Sequence, residues 1–182
     1  MNLLLDILGS TVIGGMIMLM MINFSIFQSN TRFSSDSELQ MQQNAKTLAE
    51  IVNHDLRKIG YEYEGMPFIA ADSQFISFYS DIDRDGLIDS VTYILSDPSE
   101  AATTTNPNDR ILKRVVNNDT LSGPSLGLTN IIFSYLDQLA SPTTVLSDIC
   151  YVKAEIWVES IEPIGGEYIF TYWEMTINPR NL

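Results

Sequence analysis

Residues 7–27 form an uncharged, mainly apolar run of 21 residues, and Leu3, Leu4 and Leu5 extend it towards the N-terminus. A bilayer core about 30 Å thick needs ~20 apolar residues in a helix, so the run is long enough to span one. It lacks the basic n-region of a secretory signal, and no Ala-x-Ala-like site follows Phe27; such a run is expected to stay on the protein as an anchor. The pattern then changes. Ala45, Leu48, Ala49, Val52, Leu56 and Ile59 recur at the three- and four-residue steps of one helix face. No proline precedes Pro67, and Gly60 is a natural C-cap. The pattern predicts one helix from about residue 3 to residue 59, apolar all round over 1–27 and amphipathic over 28–60.

Beyond residue 60 the period falls to two. Strands are expected at 74–79, 90–95, 110–116, 129–136, 151–159 and 167–177. In the fifth of these, Val152, Ala154, Ile156 and Val158 face one way and Lys153, Glu155 and Glu159 the other. In the sixth, Ile169, Trp173, Met175 and Ile177 share a face. Gly165-Gly166 makes the hairpin between them. Residues 97–109 and 117–127, rich in Pro, Thr, Asn, Ser and Gly, read as loops. A sheet with one apolar face needs a cover, and the amphipathic half of the helix supplies it. The fold class is therefore α+β, with residues 61–182 forming an antiparallel β domain.

Charge sharpens this picture. The chain carries 10 basic and 23 acidic residues, a net −13, and only Asp6 of the acids lies in the first 30 residues. So acidic a domain repels nucleic acid and anionic headgroups and attracts divalent cations. No Ser-His-Asp pattern, phosphate-binding glycine loop or histidine cluster occurs, and an enzyme is not expected. The single cysteine, Cys150, excludes an intrachain disulfide. It is expected as a small buried residue at a strand start, far in sequence from the one histidine, His54.

Asp81-Ile82-Asp83-Arg84-Asp85-Gly86-Leu87-Ile88-Asp89 sets acids at positions 1, 3, 5 and 9 and glycine at 6. These match the first nine positions of an EF-hand-type calcium loop, with the Leu87 carbonyl as a further ligand. Thr92 stands where the bidentate Glu would be, and the flanks are strands. A plain acidic hairpin turn uses the same residue types, so calcium and turn both remain open at this point.

The plan of the chain, and several short motifs in a set order, resemble type IV pilins and type II secretion pseudopilins. The similarity is closest to the minor pilin and J-type pseudopilin group. Asp55-Leu56-Arg57-Lys58-Ile59-Gly60-Tyr61 is similar to that group's helix ending, and the run from Gly127 through Phe133, Tyr135 and Asp137 to one of its strands. Thr176-Ile177-Asn178-Pro179-Arg180-Asn181-Leu182 is similar to its close. The resemblance implies a structural subunit of a pilus-like or pseudopilus filament, a homo-oligomer or an assembly with other pilin-like subunits. Such a subunit sits in the bacterial inner membrane before assembly and in a periplasmic or extracellular filament afterwards.

The family's mature start has Glu at the fifth position; here Leu5 holds the fifth place and Asp6 the sixth. Removal of Met1 would make the aspartate fifth, and loss of a basic leader would account for the absence of Lys and Arg before the membrane segment. The resemblance gives Asp6 the role of pairing with a neighbouring subunit's N-terminal amine. Gly14 and Gly15 permit close helix packing in the filament. The other reading is a monomeric, membrane-anchored extracytoplasmic domain that binds calcium or another ligand.

Overall fold

The computed structural model describes residues 3–182, Leu5 by its backbone alone. Helix α1 runs Leu3–Leu56. Up to Leu39 its apolar side chains are exposed: Leu8, Ile13, Leu19, Phe24 and Phe27 each keep 60% or more of their surface open. From Met41 onward one face closes. Met41, Ala45, Leu48, Ala49, Val52 and Leu56 are buried, while Ile51, on the opposite face, is exposed.

The helix ends three residues before the expected 59. The chain continues in tight turns, with Lys58 N donating to Asp55 O and Tyr61 N to Lys58 O. Ile59 is nevertheless fully buried, because the turns carry its side chain onto the same core. Gly60 takes φ +75°, a conformation glycine adopts without steric cost. Its N–H donates to Tyr79 O, and an added Cβ would lie 2.8 Å from Asn181 O.

The strands form two antiparallel sheets where one was expected. The first is a five-stranded meander of β1 (Phe68–Ala71), β2 (Phe75–Ser80), β3 (Asp89–Leu95), β4 (Leu112–Val116) and β5 (Asp119–Ser122). The second holds β6 (Leu128–Leu136), β7 (Tyr151–Glu159) and β8 (Phe170–Ile177). β1 was not anticipated, and β5 falls inside an expected loop. Both are four residues long, too short for an alternation to show, and all of β5 is exposed, so no apolar face announces it. Leu126 and Gly127 both have positive φ, turning the chain off β5 into the second sheet. There Phe133 N donates to Ser73 O, and Arg110 N to Leu128 O.

Both sheets turn their apolar faces to one core. Ile76, Phe78, Val91 and Tyr93 come from the first; Ile131, Phe133, Val152, Ala154, Ile156 and Val158 come from the second. The buried face of α1 belongs to the same cluster. Alternation in β7 is as expected. β8 departs from expectation: Trp173 pairs in register with Ile156 but stays 39% exposed, because β8 is an edge strand with a neighbour on one side only. Ile164 and Glu167 bridge across Gly165 and Gly166, both at positive φ, the two-residue hairpin turn the sequence predicts.

Candidate functional site

Ser80 ends β2 and pairs with Asp89, the first residue of β3. The acidic loop is therefore the connection of a β hairpin, and the register brings its first and ninth positions together. Asp81 is buried; its Oδ1 accepts from Asp85 N at 3.1 Å and its Oδ2 from Gly86 N at 3.1 Å. Asp83 Oδ1 also accepts from Asp85 N, at 3.2 Å. Gly86 sits at φ +85° and Arg84 at +67°, which folds the loop back on Asp81. Asp89 Oδ2 accepts from Ile82 N at 3.3 Å.

One carboxylate oxygen each from Asp81, Asp83 and Asp89 lies within 4.8 Å of the others. Two oxygens that share one calcium at about 2.4 Å can be that far apart. These three aspartates can hold a metal ion. Asp85 is not in that group: its Oδ1 accepts from Leu87 N at 2.8 Å. The Leu87 side chain is exposed.

Residues beyond the loop complete its surroundings. Asn117, in the turn between β4 and β5, donates from Nδ2 to Asp89 Oδ1 at 2.8 Å and accepts from Ser90 N at 3.0 Å. Lys58 Nζ donates to Ile82 O at 2.9 Å, and the Arg84 guanidinium lies 5.9 Å from the Tyr61 ring centroid. An open pocket of about 600 Å³ is lined in part by Asp83, Asp85, Asp89, Arg114, Asn117 and Asp119. The signal for the Asn117–Asp119 contribution was the Asn-Asn-Asp run itself; nothing local in it pointed to the hairpin some thirty residues earlier.

Arg114 links this pocket to the helix. Asp55, buried on α1, accepts at Oδ2 from Tyr93 Oη at 2.7 Å and from Arg114 Nε. Its Oδ1 lies 3.0 Å from His54 Nδ1. Burial pushes the Asp55 carboxyl up, but the bonds from Tyr93, Arg114 and His54 outweigh it and hold the group below its ordinary range. Burial first, and then the Asp55 charge, push the Tyr93 phenol well up.

The remaining expected residues lie elsewhere. Asp6, Gly14 and Gly15 are on the exposed part of α1, and an added Cβ on either glycine meets nothing within 4 Å. Among the described residues, their smallness serves no packing. An N-terminal amine on Met1 lies outside the described residues. Cys150, the single cysteine of the sequence, is only partly buried and unpaired, and it precedes β7 instead of standing within it. No protein-family model, no curated protein and no solved structure matches the chain.

Proposed function

We propose that this chain is a structural subunit of a pilus-like or pseudopilus filament, with a calcium-binding loop in its β domain. The observation that carries the reading is the first part of α1. It is long and apolar enough to cross a membrane, and none of its most apolar 18-residue window is buried within the chain. Leaving one large apolar side chain in water costs about 1.5–3 kcal/mol, and more than a dozen are exposed there. Such a surface is stable only in lipid or against other helices.

A bilayer serves before assembly and a bundle of identical helices afterwards. Heterologous contacts of that kind give open polymers. Gly14 and Gly15, with open space around them, allow neighbouring helices to approach closely. Asp6 supports the same reading, since a carboxylate among apolar side chains needs a cationic partner, and a neighbour's N-terminal amine supplies one. The acidic loop favours calcium over magnesium, because its oxygens are carboxylates of an open hairpin and magnesium demands near-ideal octahedral geometry and gives up its waters reluctantly. It also supports the alternative, a monomeric anchored domain whose task is ligand binding.

Negative-stain electron microscopy of the full chain after detergent removal separates the two. Filaments of uniform width are expected, with their yield reduced severalfold by Asp6→Ala. Dispersed particles from the unaltered chain would overturn the filament reading. Normal filaments from Asp6→Ala would remove the pairing role.

A further inference from the structure

The outer face of the second sheet sets aromatic rings among carboxylates. In the register of β7 and β8, Glu155, Trp157 and Glu159 stand opposite Glu174, Tyr172 and Phe170. On its other side Trp157 pairs with Asn130 of β6. Trp157, Phe170, Glu159, Asn130 and Thr129 line one open pocket of about 250 Å³. The pocket therefore has two aromatic walls and one carboxylate, and Phe170 keeps 66% of its surface exposed. Its walls are held in place from behind. The Trp157 ring lies 5.1 Å from that of Tyr172, tilted by 55°, and Tyr172 Oη lies 2.8 Å from Glu155 Oε1 and 2.6 Å from Glu174 Oε2. Glu159 Oε2 accepts from the side-chain amides of Asn106 at 2.9 Å and Asn108 at 3.0 Å. Groups fixed before binding cost less to order when a ligand arrives.

We infer that this pocket binds a weakly hydrated organic cation of the trimethylammonium type, with the Trp157 and Phe170 rings as its walls and Glu159 as its counter-charge. Charge selects the class of ligand. On this face Glu155, Glu159 and Glu174 stand against Lys153 alone, three acids to one base. Lys153 is shared between Glu155 at 2.9 Å and Glu174 at 3.2 Å. Among the described residues Glu159 takes part in no ion pair, and no basic side chain lines the pocket. The chain's own cation over a ring is elsewhere, Arg84 on Tyr61. The acidic character of the whole chain, a net −13, draws in cations and turns anions away.

The aromatic walls narrow the choice further. A ring attracts a cation through its negative face within about 6 Å of its centroid, tryptophan most strongly, and quaternary ammonium groups are the ligands such walls suit best. A metal ion is a poor fit, since only one carboxylate lines the pocket and calcium takes at least six oxygens. A compact primary ammonium is strongly hydrated and keeps its waters at an open site. Glu159 already accepts two amide N–H groups at Oε2, so it serves as a fixed charge, which is what a cation with no N–H to donate requires. A neutral sugar would stack on the same rings but would gain nothing from the charge of this face. The pocket is separate from the aspartate loop and rests on neither the filament nor the calcium reading.

Isothermal titration calorimetry of the full chain in nonionic detergent, at fixed ionic strength, tests it with choline chloride as the probe. One saturable site per chain is expected, and it should persist in Asp83→Ala with Asp85→Ala. The uncharged isostere 3,3-dimethylbutan-1-ol should bind at least tenfold more weakly. Glu159→Gln, which keeps an oxygen for the two amides, should weaken choline about fivefold, and Trp157→Leu should abolish saturable binding. Phe170→Ser changes an exposed side chain at the start of an edge strand, so it serves if Trp157→Leu fails to fold; it too should weaken choline about fivefold or more. No saturable choline binding, or equal affinity for the isostere, would overturn the cation site. Choline bound unchanged by Phe170→Ser and Glu159→Gln would place it elsewhere and overturn the assignment. Saturable binding of methyl glucoside without that of choline would make the pocket a sugar site, and tighter binding of arginine amide than of choline would make it a site for a protein side chain; either result overturns the proposal.

Discussion

At the scale of single residues, Asp55 is the most consequential polar group in the core. It is a carboxylate on the buried face of a helix, one position before Leu56, and it is tolerated because a phenol and a guanidinium reach it from β3 and β4. Removing one member of a buried charged pair leaves the other uncompensated, at about 3–5 kcal/mol. Asp55→Ala should therefore lower the stability of the full chain in detergent by about 3 kcal/mol, read from denaturant unfolding. The pH dependence follows in sign. The folded carboxyl titrates below its ordinary value near 3.8, so its contribution is complete above that value. It is lost as pH falls through the lower folded one. Thermal unfolding between pH 5 and pH 2 should show this acid limb in the unaltered chain and a shallower one in Asp55→Asn. Equal slopes would mean that another carboxylate sets the acid limit.

At the scale of elements, the β2–β3 hairpin turns a sequence spacing into a cluster of three aspartates that can hold a metal ion. Positions 1, 3, 5 and 9 do not act alike once the strands are in register. The backbone N–H groups of Asp85 and Gly86 hold Asp81 in place, and Asn117 orients Asp89 from a different turn. A cation that binds only the ordered loop stabilises the domain by mass action, roughly 2.7 kcal/mol at a hundred times the dissociation constant. Millimolar calcium should raise the melting temperature of the chelator-treated chain, magnesium less so. Asp83→Ala with Asp85→Ala should remove the part of the shift that belongs to the loop. Asn117→Ala, which touches no ion, should weaken binding at the loop about tenfold by releasing Asp89. An identical calcium response in the unaltered chain and the double variant would leave the loop as an acidic turn.

At the scale of the whole molecule, the chain divides its chemistry sharply along its length. Its first thirty residues hold one acid and no base, and the remainder holds 22 acids and ten bases, a net −12. If the uncharged run crosses a bilayer, as proposed above, that acidic part lies wholly on one side. Protease added to spheroplasts of a bacterium expressing the chain should digest the β domain and leave a protected apolar peptide. A protected domain would reverse the topology. On the filament reading proposed above, export would bring the aspartate loop into contact with extracytoplasmic calcium, which suits a site without the bidentate twelfth ligand.

Much of this was legible in the order of residues. A run of 21 uncharged positions, a helical stripe from Ala45 to Ile59 and a strict alternation in Val152–Ala154–Ile156–Val158 each depend on neighbours along the chain, and local periodicity reports them directly. The hairpin loop is legible for the same reason, since its clustered aspartates lie within nine residues. What the tertiary structure alone decided comes from contacts between distant segments. The split into two sheets depends on a turn at Leu126–Gly127 and on where β6 docks, the short exposed strand β5 carries no apolar signature, and Trp173 stays open because it is on an edge. Asn117 reaches Asp89 and Arg114 reaches Asp55 only when segments remote in sequence are brought side by side. The pattern of apolar positions specifies which faces must be buried; it does not specify which polar side chains will find one another once those faces close.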